Sequence, residues 1–157
     1  MKKIILSILL NCAIFVLYSQ ESCDVGYFIV SEDGYSKLEV TKVERALKTL
    51  DKDCIENNAE YGEVVNEYLF MCLTYCCDTL FKVMVDNKCK PFYNIVLNEL
   101  ANPVSDAYDF QSIYCNMSSL KKKKEGNVKE EMLSKFKEGI ASIILDYKTI
   151  LETDCTN

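Results

Sequence analysis

The stretch from Glu60 to Lys88, EYGEVVNEYLFMCLTYCCDTLFKVMVDNK, decides the fold. Its polar residues Glu60, Glu63, Glu67, Thr74, Asp78 and Lys82 recur at steps of three, four and seven, the repeat of one helix face. Everything else from Phe70 to Cys77 apart from Thr74 is apolar or cysteine. A helix with so wide an apolar surface buries itself against neighbours on several sides. The spacing therefore predicts a central helix over about 60–88, with the rest of the chain wrapped around it.

The flanking segments carry the same period. From Ser36 to about Asp53, Val43, Ala46, Leu47, Leu50 and Cys54 recur at helical spacing, and Ser36 with Glu39 reads as a capping box. Pro91 suits the first turn of a further helix carrying Phe92, Ile95, Val96 and Leu100, which Asn102-Pro103 stops. Ser105 to about Met117 reads as a shorter helix, and Ser119 to Gly126 as a loop. Asn127 with Glu130 opens the last amphipathic face, from Val128 through Met132, Phe136, Ile140, Ile143, Ile144 and Tyr147 to Leu151. That face implies a helix of about 26 residues, roughly 39 Å long. Tyr27-Phe28-Ile29-Val30 reads as a short strand or as an extended arm across the bundle. Only five Gly and two Pro argue against a turn-rich all-β fold. The expected fold is all-α: one domain, a disulfide-stapled bundle of four to five helices.

The N-terminus predicts the compartment. Lys2 and Lys3 precede a run of fifteen residues, Ile4 to Tyr18, interrupted only by Ser7 and Asn11, with the small residue Ser19 at its exit. A basic start, an apolar run and a small exit residue make a secretory signal peptide. The run falls short of the ~20 residues that cross a bilayer as a helix. Residues 1–19 are thus expected to be removed, leaving 20–157 as the secreted, extracellular domain, with no membrane insertion afterwards. Cleavage removes two of the eighteen basic residues and no acid, so the formal charge falls from −6 to −8. A negative surface repels phosphate backbones and anionic membranes. The one basic run, Lys121 to Lys124, sits in the expected loop and reads as a solvated connection or a processing site.

Secretion sets the role of the cysteines. Cys12 leaves with the signal, and eight remain: Cys23, Cys54, Cys72, Cys76, Cys77, Cys89, Cys115 and Cys155. An even count in an exported chain reads as four disulfides, with pairing that sequence does not choose. Each bridge contributes about 2–4 kcal/mol by constraining the unfolded chain. Cys72 and Cys76 share one helix face, where their Cβ vectors run parallel, and Cys76 and Cys77 diverge by about 100°. All three are therefore expected to pair outward, with three bridges radiating from the central helix. Zinc requires paired knuckles, and only Cys72-x3-Cys76 resembles one; a thioredoxin-like C-x-x-C is absent.

The Cys72-x3-Cys76 step resembles that of insect odorant-binding proteins, which are small, secreted and helical. Cys77, Cys89, Cys115 and Cys155 lack the closely spaced final pair of that pattern. The adjacent pair Cys76-Cys77 is similar to one in albumin-like domains, but the flanking spacings do not follow. A saposin-like pattern needs a tight C-x-x-C near the mature N-terminus, where Cys23 stands alone. One short step covers too little of the chain to carry a function across.

The candidate chemistry is sparse. The chain has no His, which removes His-dependent triads, imidazole bases and His-ligated metals. Glu60, Glu63, Glu67, Glu130 and Glu131 lie on polar helix faces and read as solvated surface. The five Gly form no phosphate loop. Asn116-Met117-Ser118 is an N-glycosylation sequon, making Asn116 a candidate modification site. The ten Tyr and seven Phe read mainly as core, with Tyr68, Phe136 and Tyr147 on apolar faces. No catalytic residue, cofactor or metal site is expected. The expected function is that of a secreted, non-enzymatic interaction protein, an extracellular ligand, effector or cytokine-like bundle that binds another protein. The alternative is an extracellular carrier of a small hydrophobic ligand or lipid, which requires an enclosed apolar pocket of about 300 Å³ or more.

Overall fold

In the computed structural model, the described residues are 23–120, 127–152 and 155. The expected signal peptide, the Lys121–Lys124 run and most of the expected loop lie outside them. Among the described residues the fold is all-α and a single domain, with nine helices and no strand. They are α1 Glu32–Tyr35, α2 Val40–Lys48, α3 Lys52–Asn57, α4 Ala59–Tyr75, α5 Cys77–Asp86, α6 Pro91–Leu100, α7 Phe110–Ser119, α8 Val128–Ile143 and α9 Tyr147–Leu151.

The helix α4 is the centre, packing against α1, α3, α5, α6 and α7. Its Val65, Tyr68, Leu69, Phe70, Cys72 and Leu73 are buried, while Glu60, Glu63 and Glu67 face solvent. The polar stripe thus lies where its period placed it. The expected continuous helix over 60–88 does not form, however. It breaks at Cys76 (φ −143°, ψ 43°), and α5 leaves at 112° to α4. Thr74 Oγ1 donates back to Phe70 O at 3.0 Å, a bond that competes within the ladder and favours bending. The carbonyls of Leu73 and Thr74, orphaned by the break, accept from Asn116 Nδ2 at 3.1 and 2.9 Å. Beyond the break, Cys76 O accepts from Thr79 N and Leu80 N and opens α5. The bend turns a segment that is apolar nearly all round into two amphipathic faces. No single described helix is long and apolar enough to cross a membrane; the bent pair passes by length and composition, and much of it is core.

Two other expected helices are also divided. The segment 36–53 becomes α2 and α3, because Asp51 stops one and caps the next: its Oδ1 accepts from Asp53 N and Cys54 N at 2.8 and 3.2 Å. The Ser36–Glu39 capping box does not form. Ser36 ends α1 and donates to Asp33 O, and Glu39 makes no side-chain cap bond. The long C-terminal helix stops at Ile143 and restarts at Tyr147, leaving Leu145 fully exposed. Helix α6 runs from Pro91 to Leu100 as expected, whereas α7 begins late, at Phe110, capped by Asp109, whose Oδ1 accepts from Ser112 N.

Helix α8 crosses α6 closely at Gly139. A Cβ there would meet Leu100 O at 2.5 Å and Pro103 Cδ at 2.8 Å, so only glycine admits this approach. Glu131 on α8 accepts from Tyr93 Oη at 2.6 Å and pairs with Lys88 Nζ at 2.7 Å, tying the α5–α6 turn to α8. A buried polar knot joins α4 to the end of α6. The Asn66 amide donates to Glu99 Oε2 and Asn102 O, each at 3.0 Å, and its Oδ1 accepts from Val104 N at 3.1 Å. The aromatic side chains pack on one another: Phe70 stacks on Tyr108 at 4.5 Å and meets Phe110 edge-on.

Candidate functional site

The disulfides shape the surface. Cys23 bonds Cys54 (Cα–Cα 5.7 Å) and Cys115 bonds Cys155 (5.2 Å). Both are compatible with an extracellular location. Cys72, Cys76, Cys77 and Cys89 carry thiols. Of the four disulfides expected, two are present, and the outward bridges from Cys72, Cys76 and Cys77 are absent from the structure; Cys72 and Cys76 interact with each other instead.

The first bridge fixes the N-terminal arm. Residues 25–28 form a turn, not a strand, in which Phe28 N donates to Val25 O. Phe28 inserts edge-on against Tyr61 at 5.9 Å and Tyr68 at 5.4 Å and is buried. With Phe28 turned inward, its neighbours Tyr27 and Ile29 turn outward, 47% and 70% exposed. Tyr27 lines an open cleft of 440 Å³ together with Cys23, Asp24, Thr49, Asp51, Cys54 and Tyr61. Its floor is rigid: the Tyr61 hydroxyl donates to Thr49 O and accepts from Asp51 N. Burial pushes the Tyr61 hydroxyl above its ordinary pKa, so it stays a neutral donor. Asp24 and Asp51 are exposed and make the cleft mouth acidic. Each holds a backbone amide with Oδ1, Asp24 taking Gly26 N at 2.8 Å.

A second cleft, of 180 Å³, opens at the α4–α5 corner, lined by Thr74, Tyr75, Cys76, Cys77, Asp78, Asn116, Ser119 and Leu120. Asn116, the sequon residue, is half-buried here, and its amide nitrogen holds the end of α4. Cys76 and Cys77 line this cleft, and buried Cys72 lies one helical turn before Cys76. Interaction with Cys72 lowers the Cys76 pKa below the ordinary thiol value, while burial holds Cys72 well above it and pushes Cys77 up to about 12.

Of the carboxylates read from sequence, Glu60, Glu63, Glu67 and Glu130 lie on the surface and Glu131 makes its clamp. Sequence reasoning passed over Glu99, which is buried and whose pKa is raised by desolvation. It lines neither cleft and bonds Asn66 instead. Among the described residues, no group of three or more Cys, Asp or Glu is placed to hold a metal. No protein-family model matches the chain, no curated protein matches it, and no solved structure matches it.

Proposed function

We propose that this is a secreted, non-enzymatic interaction protein that binds another extracellular protein through its N-terminal arm. The observation that carries the reading is the outward presentation of Tyr27 and Ile29 on a turn pinned by buried Phe28 and by the Cys23–Cys54 bridge. Exposed apolar side chains on a rigid support bind with little loss of conformational entropy. Aromatics are favoured as interface anchors. Asp24 and Asp51, which line the same cleft as Tyr27, favour a partner segment that carries basic residues. The carrier alternative is less favoured: the 440 Å³ cleft is large enough but opens to solvent between two carboxylates, and the inward-facing rings fill the core against one another.

The test is a comparison of the mature oxidised protein with a Tyr27→Ser/Ile29→Ser double variant. Both are used to capture partners from the extracellular fluid into which the protein is exported, and lipid is extracted from the same samples. The reading expects a protein retained by the wild type and lost from the variant, with equal thermal stability of the two. Equal capture by both, or lipid bound in place of protein, contradicts it.

A further inference from the structure

We propose that Cys72 and Cys76 are the site of a third disulfide, formed by exchange with a glutathione-type disulfide that enters through the cleft at the α4–α5 corner. In an unbroken helix, residues at i and i+4 project in parallel and make a poor bridge. Here the helix ends at Tyr75, and Cys76 leaves the helical conformation at φ −143° and ψ 43°. Its backbone N still holds Cys72 O at 2.9 Å, so the two residues remain within one turn. At that φ the Cys76 Cβ no longer projects in parallel with that of Cys72, and the two thiols are close enough for each to shift the other's pKa. The break that the sequence did not announce thus removes the parallel projection that makes an i, i+4 bridge poor.

The other thiols are less suited. Cys77 lines the same cleft beside Cys76, but it is buried, and burial pushes its pKa up to about 12, which disfavours its thiolate. Cys89 lies beyond the opposite end of α5, and ten helical residues span roughly 15 Å, past the reach of a bridge.

The two sulfurs differ in access, which orders the reaction. Cys76 lines the cleft, whereas Cys72 is fully buried. Interaction with Cys72 lowers the Cys76 pKa and so favours the thiolate, the attacking species in exchange. Cys76 Sγ attacks one sulfur of glutathione disulfide; the S–S bond breaks and one glutathione leaves, taking a proton from solvent. Cys72 Sγ then attacks Cys76 Sγ in the mixed disulfide. The second glutathione leaves with the Cys72 proton. Two protein thiols are oxidised to one disulfide, and one glutathione disulfide is reduced to two thiols.

The test uses the mature protein with Cys23–Cys54 and Cys115–Cys155 intact and Cys89→Ser, which removes the exposed thiol. It is incubated with glutathione disulfide, alkylated under denaturing conditions and mapped by mass spectrometry without reduction. The expected product links Cys72 to Cys76 and leaves Cys77 alkylated. With Cys72→Ser added, one glutathione is trapped on Cys76; with Cys76→Ser instead, Cys72 stays unmodified. Alkylation of both Cys72 and Cys76 in the parent, or linkage of Cys76 to Cys77, overturns the proposal whatever the folding of the serine variants.

Discussion

The side-chain nitrogen of Asn116 lies 2.9 Å from the carbonyl oxygen of Thr74, so a residue on α7 terminates α4. Replacing Asn116 by Ala leaves the Leu73 and Thr74 carbonyls without that donor. The expected cost is about 1–3 kcal/mol, measured by chemical denaturation. A glycan on Asn116 would take one of the two N–H groups used here and crowd the corner. The folded protein is expected to carry none, so peptide N-glycosidase leaves its intact mass unchanged.

The buried pair Asn66 and Glu99 gives a pH dependence. Burial raises the Glu99 pKa above the ordinary 4.5, so the folded state holds its proton more tightly than the unfolded state does. The Glu99 contribution is therefore complete below the unfolded pKa and declines as pH rises through the folded one. Glu99→Gln is expected to flatten this fall in stability above the ordinary carboxylate range. Denaturation midpoints taken across pH check it; a slope unchanged by the substitution contradicts it.

Gly139→Ala is expected to destabilise by about 1–3 kcal/mol, because its methyl meets Leu100 O and Pro103 and α8 must move away from α6. Ala at exposed Ser134, on the same helix, is the control and should change stability by less than about 0.5 kcal/mol. Thermal melts of the two variants distinguish a close helix crossing from a general propensity effect.

Phe28→Ala is expected to cost about 3–5 kcal/mol, since its buried ring seats between Tyr61 and Tyr68. Tyr27→Ser and Ile29→Ser should stay within about 0.5 kcal/mol of the wild type, because both side chains face solvent. If denaturation ranks the three positions differently, the arm does not sit as described.

Much of the architecture was legible where a signal is local. Pro91 and Asn102-Pro103 bound α6 by backbone chemistry alone, and Val128, Met132, Phe136 and Ile140 repeat along the buried face of α8. The breaks were less legible. Asp51 carries a readable signal, an N-cap residue type behind Leu50, but the apolar period from Val43 to Cys54 runs straight across it. The break at Cys76 depends on an amide forty residues further on, and no window around Cys76 contains Asn116. Asn66 had a signal too, a polar residue on an apolar helix face. Its partners, from Glu99 to Tyr108, are supplied only by tertiary folding. The arm shows the same limit: the period of Tyr27 to Val30 fits a strand or an extended segment, and Phe28 packing on Tyr61 and Tyr68 chose a turn. The corner thiols follow from the break, which is why sequence sent them outward.

The most direct test of the account is non-reducing peptide mapping of the protein collected after export from its own cells. The account predicts a chain that begins just after Ser19, with Cys23 joined to Cys54 and Cys115 joined to Cys155. A retained leader, or these four cysteines recovered as alkylated thiols from the unreduced protein, contradicts it.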